Sequence, residues 1–542
     1  MRKTRIWAII AILAAAAAVI WQYGEDPVAT GPAASVLHRG LITEPESVDP
    51  HKVRSTAAGV VLRDLGEGLL SYSPTGELVP GSADEWTISD DALTYTFHIR
   101  GDARWSNGDH VTAGDFAFSL RRLVDPATGA FYSSLVSGIV NAEAITRGEV
   151  SVSELGVEAP DDRTLVIRLE RPVPFLLNLL TLPSTFPVHA GSIAEHGDAF
   201  ARAGTLVTNG AYQLDAWEPA SMLDLSRNAS YWNNDNTSID RVRYHIVTEQ
   251  MTQLNRFRTG ELHVTDTVPT DTFERVREDY PDELRTAPYI GVHYYGFNLT
   301  KPLFRDNPGI REALSLAIDR EALVRNITRR GEQPAYSWVH PGVANYEPRR
   351  MNYADETQEV RNAHARRLMM EAGYGPDNPL RIELRYNDND EQQRMALAIQ
   401  AMWNDVLGVE AELINEEFQV FLANMRAAEV TEVFRSSWIG DYPDAHTFLS
   451  ILQSGNEANM PRYANEEYDD LMQRAANEVD PDRRRLLLEE AERVLLAEHA
   501  IIPVYFFVSK HLVSSEVEGW GDNVLDYHYS QHLSLAPAGA KP

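Results

Sequence analysis

Short spacings that would build a catalytic centre are missing from this sequence. It holds no His-Glu-x-x-His, no Gly-x-Ser-x-Gly, no Gly-x-x-x-x-Gly-Lys and no Gly-x-Gly-x-x-Gly. The sixteen histidines are scattered, and none is expected to form a metal-like arrangement with a nearby carboxylate. Cysteine is absent, which removes disulfides, thiolate metal sites, cysteine nucleophiles and a lipid-bearing cysteine together. Acidic pairs such as Asp161-Asp162 and Asp388/Asp390 read as solvated turns in so acidic a chain. No catalytic residue, metal or cofactor is expected. One carboxylate stands apart. Asp441 follows the apolar-aromatic stretch Trp438-Ile439 and the unhindered Gly440, a place where an acid can be presented to a cleft. The competing role is a turn-forming Asp before Tyr442-Pro443.

The elements that must position such a residue belong to a large molecule. With 542 residues, of which 44% are hydrophobic and 24% charged, the chain is a globular protein of two or three domains. Its net charge of −30 argues against nucleic acid, which needs clustered cations. Near the start, Arg2, Lys3 and Arg5 precede an unbroken apolar run over 6–21. That is the pattern of an export signal, and the run is also nearly long enough to anchor the chain in a bilayer. Cleaved or anchored, it places the remainder outside the cytoplasm, with the cytoplasmic side marked by the cations. Residues 23–35, rich in Pro, Gly and Ala, read as a linker.

Strands and turns dominate 36–290. Alternation predicts strands over 93–99 and 164–169, and a helix over 113–123 opens at Thr112 with Asp115 at its third position. Asn209-Gly210 reads as a turn, and so does Trp105-Ser-Asn-Gly108. From about 291 the texture becomes α/β. Helices are predicted over 311–330, 360–372, 390–407 and 481–499, with strands over 380–386, 409–414 and 501–508. Asp480 and Pro481 are N-cap and first-turn signals. A strand-rich half followed by an α/β half implies two lobes with a ligand cleft between them.

Ordered segments across nearly the whole chain resemble the bacterial oligopeptide- and dipeptide-binding proteins, the family 5 extracellular solute-binding proteins of ABC transporters. They are Glu44-Pro-Glu-Ser-Val-Asp-Pro-His51, Leu65-Gly-Glu-Gly-Leu69 and Trp105-Ser-Asn-Gly-Asp-His-Val-Thr-Ala-Gly-Asp-Phe116. Thr208-Asn-Gly-Ala-Tyr212, Arg227-Asn-Ala-Ser-Tyr-Trp232 and Tyr295-Gly-Phe-Asn298 follow, then Pro302-Leu-Phe304 and 310–320. Trp438-Ile-Gly-Asp-Tyr442 and Ile502-Pro-Val-Tyr505 complete the set. Most of these residues identify a fold; Asn228, Tyr231 and Trp232 are expected to brace a domain corner rather than touch ligand.

The resemblance implies a two-lobed periplasmic-binding-protein fold of α/β class with an extra domain, its mixed sheets flanked by helices. It places the extra domain at 67–191. Lobe 1 is then made of 36–66, 192–290 and 510–542, and lobe 2 of 291–509, after a leader or anchor over 1–22. It implies an exported, monomeric component of an ABC importer that binds short peptides and passes them to a permease. In that reading Asp441 meets the peptide's α-ammonium group, and Arg435, or Arg426, its terminal carboxylate. Trp438, Tyr132, Phe418 and Gln392 line the cleft, although core packing is the competing role for both Tyr132 and Phe418. A sensing module at the membrane, or a binder of a non-peptide solute, uses the same scaffold.

Overall fold

The computed structural model describes residues 34–536; the expected leader, the apolar run over 6–21 and nearly all of the linker lie outside them. In chain order, β1 (Val36–Leu41) is followed by α1 (Thr56–Leu65), β2 (Leu70–Tyr72), β3 (Leu78–Pro80), β4 (Ala83–Ile88) and β5 (Thr94–Ile99). Next come α2 (Ala113–Val124), β6 (Val157–Glu158), β7 (Thr164–Arg168), β8 (Tyr212–Glu218), β9 (Met222–Arg227) and β10 (Arg241–Ile246). The long β11 (Leu284–Phe297) leads to α3 (Pro308–Leu316), β12 (Gln333–Pro334), α4 (Gln358–Glu371), β13 (Arg381–Asn387) and α5 (Asp390–Leu407). The chain continues through β14 (Glu410–Glu416), α6 (Phe418–Ala427), β15 (Val433–Ile439), α7 (Glu466–Asn477), α8 (Pro481–Ala497) and β16 (Ile501–Leu512).

These strands form three principal sheets. Strands β1-β10-β9-β8 make one, β4-β5-β7-β6 a second and β12-β16-β11-β15-β13-β14 a third. Each carries its own apolar core. Leu37, Leu62, Tyr212 and Val242 centre the first, Phe97, Trp105, Phe116 and Leu165 the second, and Tyr294, Trp338, Trp403 and Leu495 the third. The residues after 512 return to the first core through Val513, Val517 and Leu533.

Local chemistry explains the ends of the helices. Thr112 and Asp115 form a reciprocal capping box on α2. Asn389 caps α5, and Gly408 closes it at φ +70°. Asp480 and Pro481 open α8. Gly108 takes φ +93°, the turn conformation that the Trp105 motif requires.

Three expectations change. The helix predicted over 311–330 is broken: α3 stops at Leu316, buried Ala317 and Ile318 intervene, and Asp319 caps a fresh turn over Arg320–Leu323. Buried Arg320 reaches the carbonyls of Pro503 and Ser315, which a continuous helix would not bring to it. Asn209-Gly210 is no hairpin turn. The side chain of Asn209 grips both the N–H and the carbonyl of Glu67, and a Cβ on Gly210 would stand 2.6 Å from the nitrogen of Gly66. The first half also holds more helix than its alternation suggests, in short pieces such as Ala142–Thr146, Ala190–His196 and Gln250–Arg258, too brief to leave a periodic signal.

Two of the expected boundaries, 290/291 and 509/510, fall inside β11 and β16. These strands pair from Leu284↔Leu512 to Gly296↔Ile501, with a register shift between Pro288 and Val292. Below that shift Leu284 and Leu512 join a small core with Leu254 and Val276; above it Ile290 and Val292 join the third core.

Candidate functional site

Beside the irregularity in β11 lies a cavity of about 310 Å³. Tyr289 of β11, Asp441, Tyr132, Asp266, Asp526 and Arg63 are among its walls. Its parts come from sequence positions more than 400 residues apart.

Asp441 stands two residues beyond β15. Gly440 donates its N–H to the Ile290 carbonyl at 2.7 Å, and a Cβ there would press on Thr447 and Ile290 at 3.0 and 3.2 Å. The Asp441 N–H donates to Thr447 Oγ1. Tyr442 then turns into the second core, stacked on Phe175 at 4.7 Å, and Asp444 takes both guanidinium nitrogens of Arg484 at 2.8 Å. The backbone around Asp441 is thus held on both sides while its carboxylate has no ion-pair or hydrogen-bond partner among the described residues. Burial pushes that carboxyl up to about 6, since a charge loses stability as water leaves it. Tyr132 faces it across the cavity, its phenol raised by burial and by the charge of Asp441.

The second polar end is Arg435, on β15 itself. Its Nε donates to Gln392 Oε1 at 3.0 Å, and no carboxylate pairs with it among the described residues. Burial lowers its pKa. Gln392 sits in the first turn of α5, held by Asn389 through its own N–H. On the neighbouring β11, buried His293 and Tyr295 share the face of Arg435, and neither the His293 ring nitrogens nor the Tyr295 hydroxyl has a hydrogen-bond partner among the described residues. At about 3.3 Å per residue, the six residues from Arg435 to Asp441 reach at most roughly 20 Å.

Between the two charges runs an open edge. β15 pairs with β11 along its whole length, Val433 to Ile439. Its other neighbour, β13, meets only Val433 and Phe434. Residues 435–439 therefore present one side of their backbone without a strand partner.

The remaining candidates separate. Trp438 alternates to the other face of β15, half-buried against the third core, and its buried Nε1 lacks a partner. Phe418 opens α6 with 46% exposure, outside both cavity and core. Arg426 borders a different depression, with Asn459 and Arg462. The structure brings Asp441 and Tyr132 together in one cavity, and brings Gln392 of α5 against Arg435 of the open strand.

Sequence reasoning missed Arg54, Arg63, Asp266, Tyr289 and Asp526, all on the cavity wall. Arg63 lies 3.4 Å from the ring of Tyr527, and burial raises the carboxyl of Asp266. Helical spacing on α1 marks Arg63 only as a polar residue; its neighbour across the cavity wall is 464 positions away.

Residues 77–460 match the model of the bacterial extracellular solute-binding proteins, family 5. The periplasmic oligopeptide-binding protein OppA of Escherichia coli (strain K12) is 36% identical over 503 residues, 92% of each chain. Among solved structures, the unliganded open form of the periplasmic murein tripeptide-binding protein MppA superposes with a TM-score of 0.83 at 33% identity, covering 93% of this chain and 98% of that one. The Haemophilus influenzae OppA complex with the peptide RPPGFSPFR gives 0.77 at 33% identity, over 93% and 99%.

Proposed function

The chain belongs to the bacterial extracellular solute-binding proteins of family 5, and from that membership we propose that it is the periplasmic binding component of an ABC importer, capturing short peptides and delivering them to a membrane permease. The observation that carries this reading is the open edge of β15, flanked by a carboxylate and a guanidinium that have no counter-ion among the described residues. A peptide laid along residues 435–439 gains main-chain hydrogen bonds as an added strand. Its α-ammonium group meets Asp441 and its terminal carboxylate meets Arg435, a charge-assisted pair at each end. Nothing in that scheme reads side-chain identity, so peptides of many sequences fit. Tyr132 closes over the amino end and Gln392 steadies the arginine.

In this reading the three cores correspond to lobe 1 (36–66, 192–290 and 510–542), the extra domain (67–191) and lobe 2 (291–509). Lobe 2 swings on β11 and β16 at the irregularity beside Tyr289, and the closed state is favoured only by contacts made to ligand within it. The protein works as a monomer and a binder, without turnover.

Two measurements test it. Mass spectrometry of ligand released from purified, denatured protein is expected to show mixed short peptides; a single non-peptide compound overturns the proposal. Asp441→Asn is expected to weaken a free-amine tripeptide at least tenfold by calorimetry, about 1.4 kcal/mol. A smaller change removes Asp441 as the ammonium partner.

A further inference from the structure

Behind the cavity wall, one carboxylate receives two imidazoles. Nε2 of His511, near the end of β16, lies 2.9 Å from Asp526 Oδ1, and Nε2 of His528 lies 3.0 Å from the same oxygen. The three donor atoms all fall within 4.8 Å of one another. Nδ1 of His511 is 3.0 Å from the carbonyl oxygen of Thr265. A carbonyl only accepts, so Nδ1 carries a hydrogen; Nε2, 2.9 Å from an acceptor-only carboxylate, carries one as well, and its lone pair becomes available to a metal ion when that second proton leaves. A metal-bound histidine is oriented by the same device. Trp520 stacks on His528 at 3.6 Å and tilts against His511 at 5.3 Å, holding both rings. Asp526 adopts φ +58°, a left-handed conformation that costs a non-glycine residue about 1 kcal/mol or more and gathers at functional sites.

We propose that His511, Asp526 and His528 form a binding site for a divalent first-row transition metal ion of the Zn²⁺ type, on the wall of the ligand cavity. Two imidazole nitrogens and one carboxylate oxygen are the donors of an open zinc site, with a fourth position left for water or ligand. Metal–ligand bonds of about 2.0–2.1 Å in a tetrahedron set donor atoms roughly 3.3 Å apart, so the two short edges widen by about 0.4 Å or less and the two imidazole nitrogens, within 4.8 Å of each other, must adjust to the same spacing. Nitrogen donors select against Mg²⁺ and Ca²⁺, which take oxygen. The rings are 11% and 7% exposed, whereas Asp526 itself lines the cavity with Asp266, and that is the route of entry. The ion ties β16 to the segment over 526–528, behind the irregularity in β11.

A proton is the competitor: with a second proton on its ring, His511 would satisfy the same carboxylate. The two states differ in what binding releases. Full-length protein freed of metal by a chelator is titrated with ZnCl₂ in two buffers of different ionisation enthalpy. One ion per chain, with a Kd of about 10 μM or tighter and protons released, is expected. His511→Gln and His528→Gln are each expected to weaken binding at least a hundredfold, and Co²⁺ in the same site to give the visible absorption of a tetrahedral ion. Circular dichroism confirms that the variants fold, and if one does not, the other decides. Absence of binding up to 1 mM overturns the proposal. So does unchanged binding in a folded variant, which would move the ion to another group such as His38 and His245, 2.9 Å apart.

Discussion

At the scale of the residue, Asp441 is an acid kept ready at a cost. Its folded pKa of about 6 lies above its unfolded value near 3.9, so the native state holds the extra proton between those limits. Stability of the ligand-free protein from this group therefore falls as pH rises from about 4 to about 6 and is level above. Asp441→Asn is expected to raise the melting temperature of the ligand-free protein at pH 7.5 and to leave it nearly unchanged at pH 4, in scanning calorimetry. Affinity runs the other way. An ammonium partner favours the ionised acid, so peptide binding weakens about tenfold per unit below pH 6. It levels between about 6 and 8 and declines once the peptide's α-amine, with a pKa near 7.7–8.0, loses its proton. Titrations across pH 4.5–9 check this, and a flat profile below 6 excludes Asp441. The residue was singled out in the sequence chiefly by the family motif Trp438-Ile-Gly-Asp-Tyr442; that no counter-ion meets it among the described residues was not legible, because that depends on everything packed around it.

At the scale of the element, β15 matters through what does not pair with it. Hydrogen exchange at the amides of 435–439 is expected to slow when a tripeptide binds, while α8 stays unchanged; no added protection on β15 removes the added-strand mode. Most helices of the second half were readable from capping signals and periodicity: α5 falls at 390–407 as spaced and α8 opens at Pro481 behind Asp480, while in the first half α2 follows its N-cap Thr112. The break after Leu316 was not readable, since α3 ends where Arg320 must turn to distant carbonyls of β16 and its own segment. Nor was the open edge of β15, because strand order is set by long-range pairing that no local pattern encodes.

For the whole molecule, Glu67 shows how distant motifs are joined. Its buried carboxylate accepts from Ser82 Oγ and Trp232 Nε1 at 3.0 and 2.9 Å and is bonded to the Tyr231 hydroxyl at 2.5 Å. Glu67→Ala strands those donors, and at about 1–3 kcal/mol for each unsatisfied group the variant is expected to lose at least about 3 kcal/mol in urea unfolding. Peptide at a hundred times its Kd should restore about 2.7 kcal/mol by mass action in both proteins, since Glu67 touches no part of the cavity wall. Among the described residues, 34–536, no helix is long and apolar enough to cross a bilayer.

By itself the sequence determined the leader pattern, the α/β texture of the second half, the absence of short catalytic motifs, and a set of ordered motifs that point to one family. These are local properties, written in neighbouring residues through capping, alternation and charge. The tertiary structure alone decided that Arg63, Asp266 and Asp526 share a cavity with Asp441, and that Phe418 and Arg426 stand away from it. It alone brought His511, Asp526 and His528 to one point, 17 residues apart in sequence at their ends and joined by no spacing rule. Contacts of that kind follow from which cores the strands cross between, and β11 and β16 carry the chain from one core to the next without any linker to announce it.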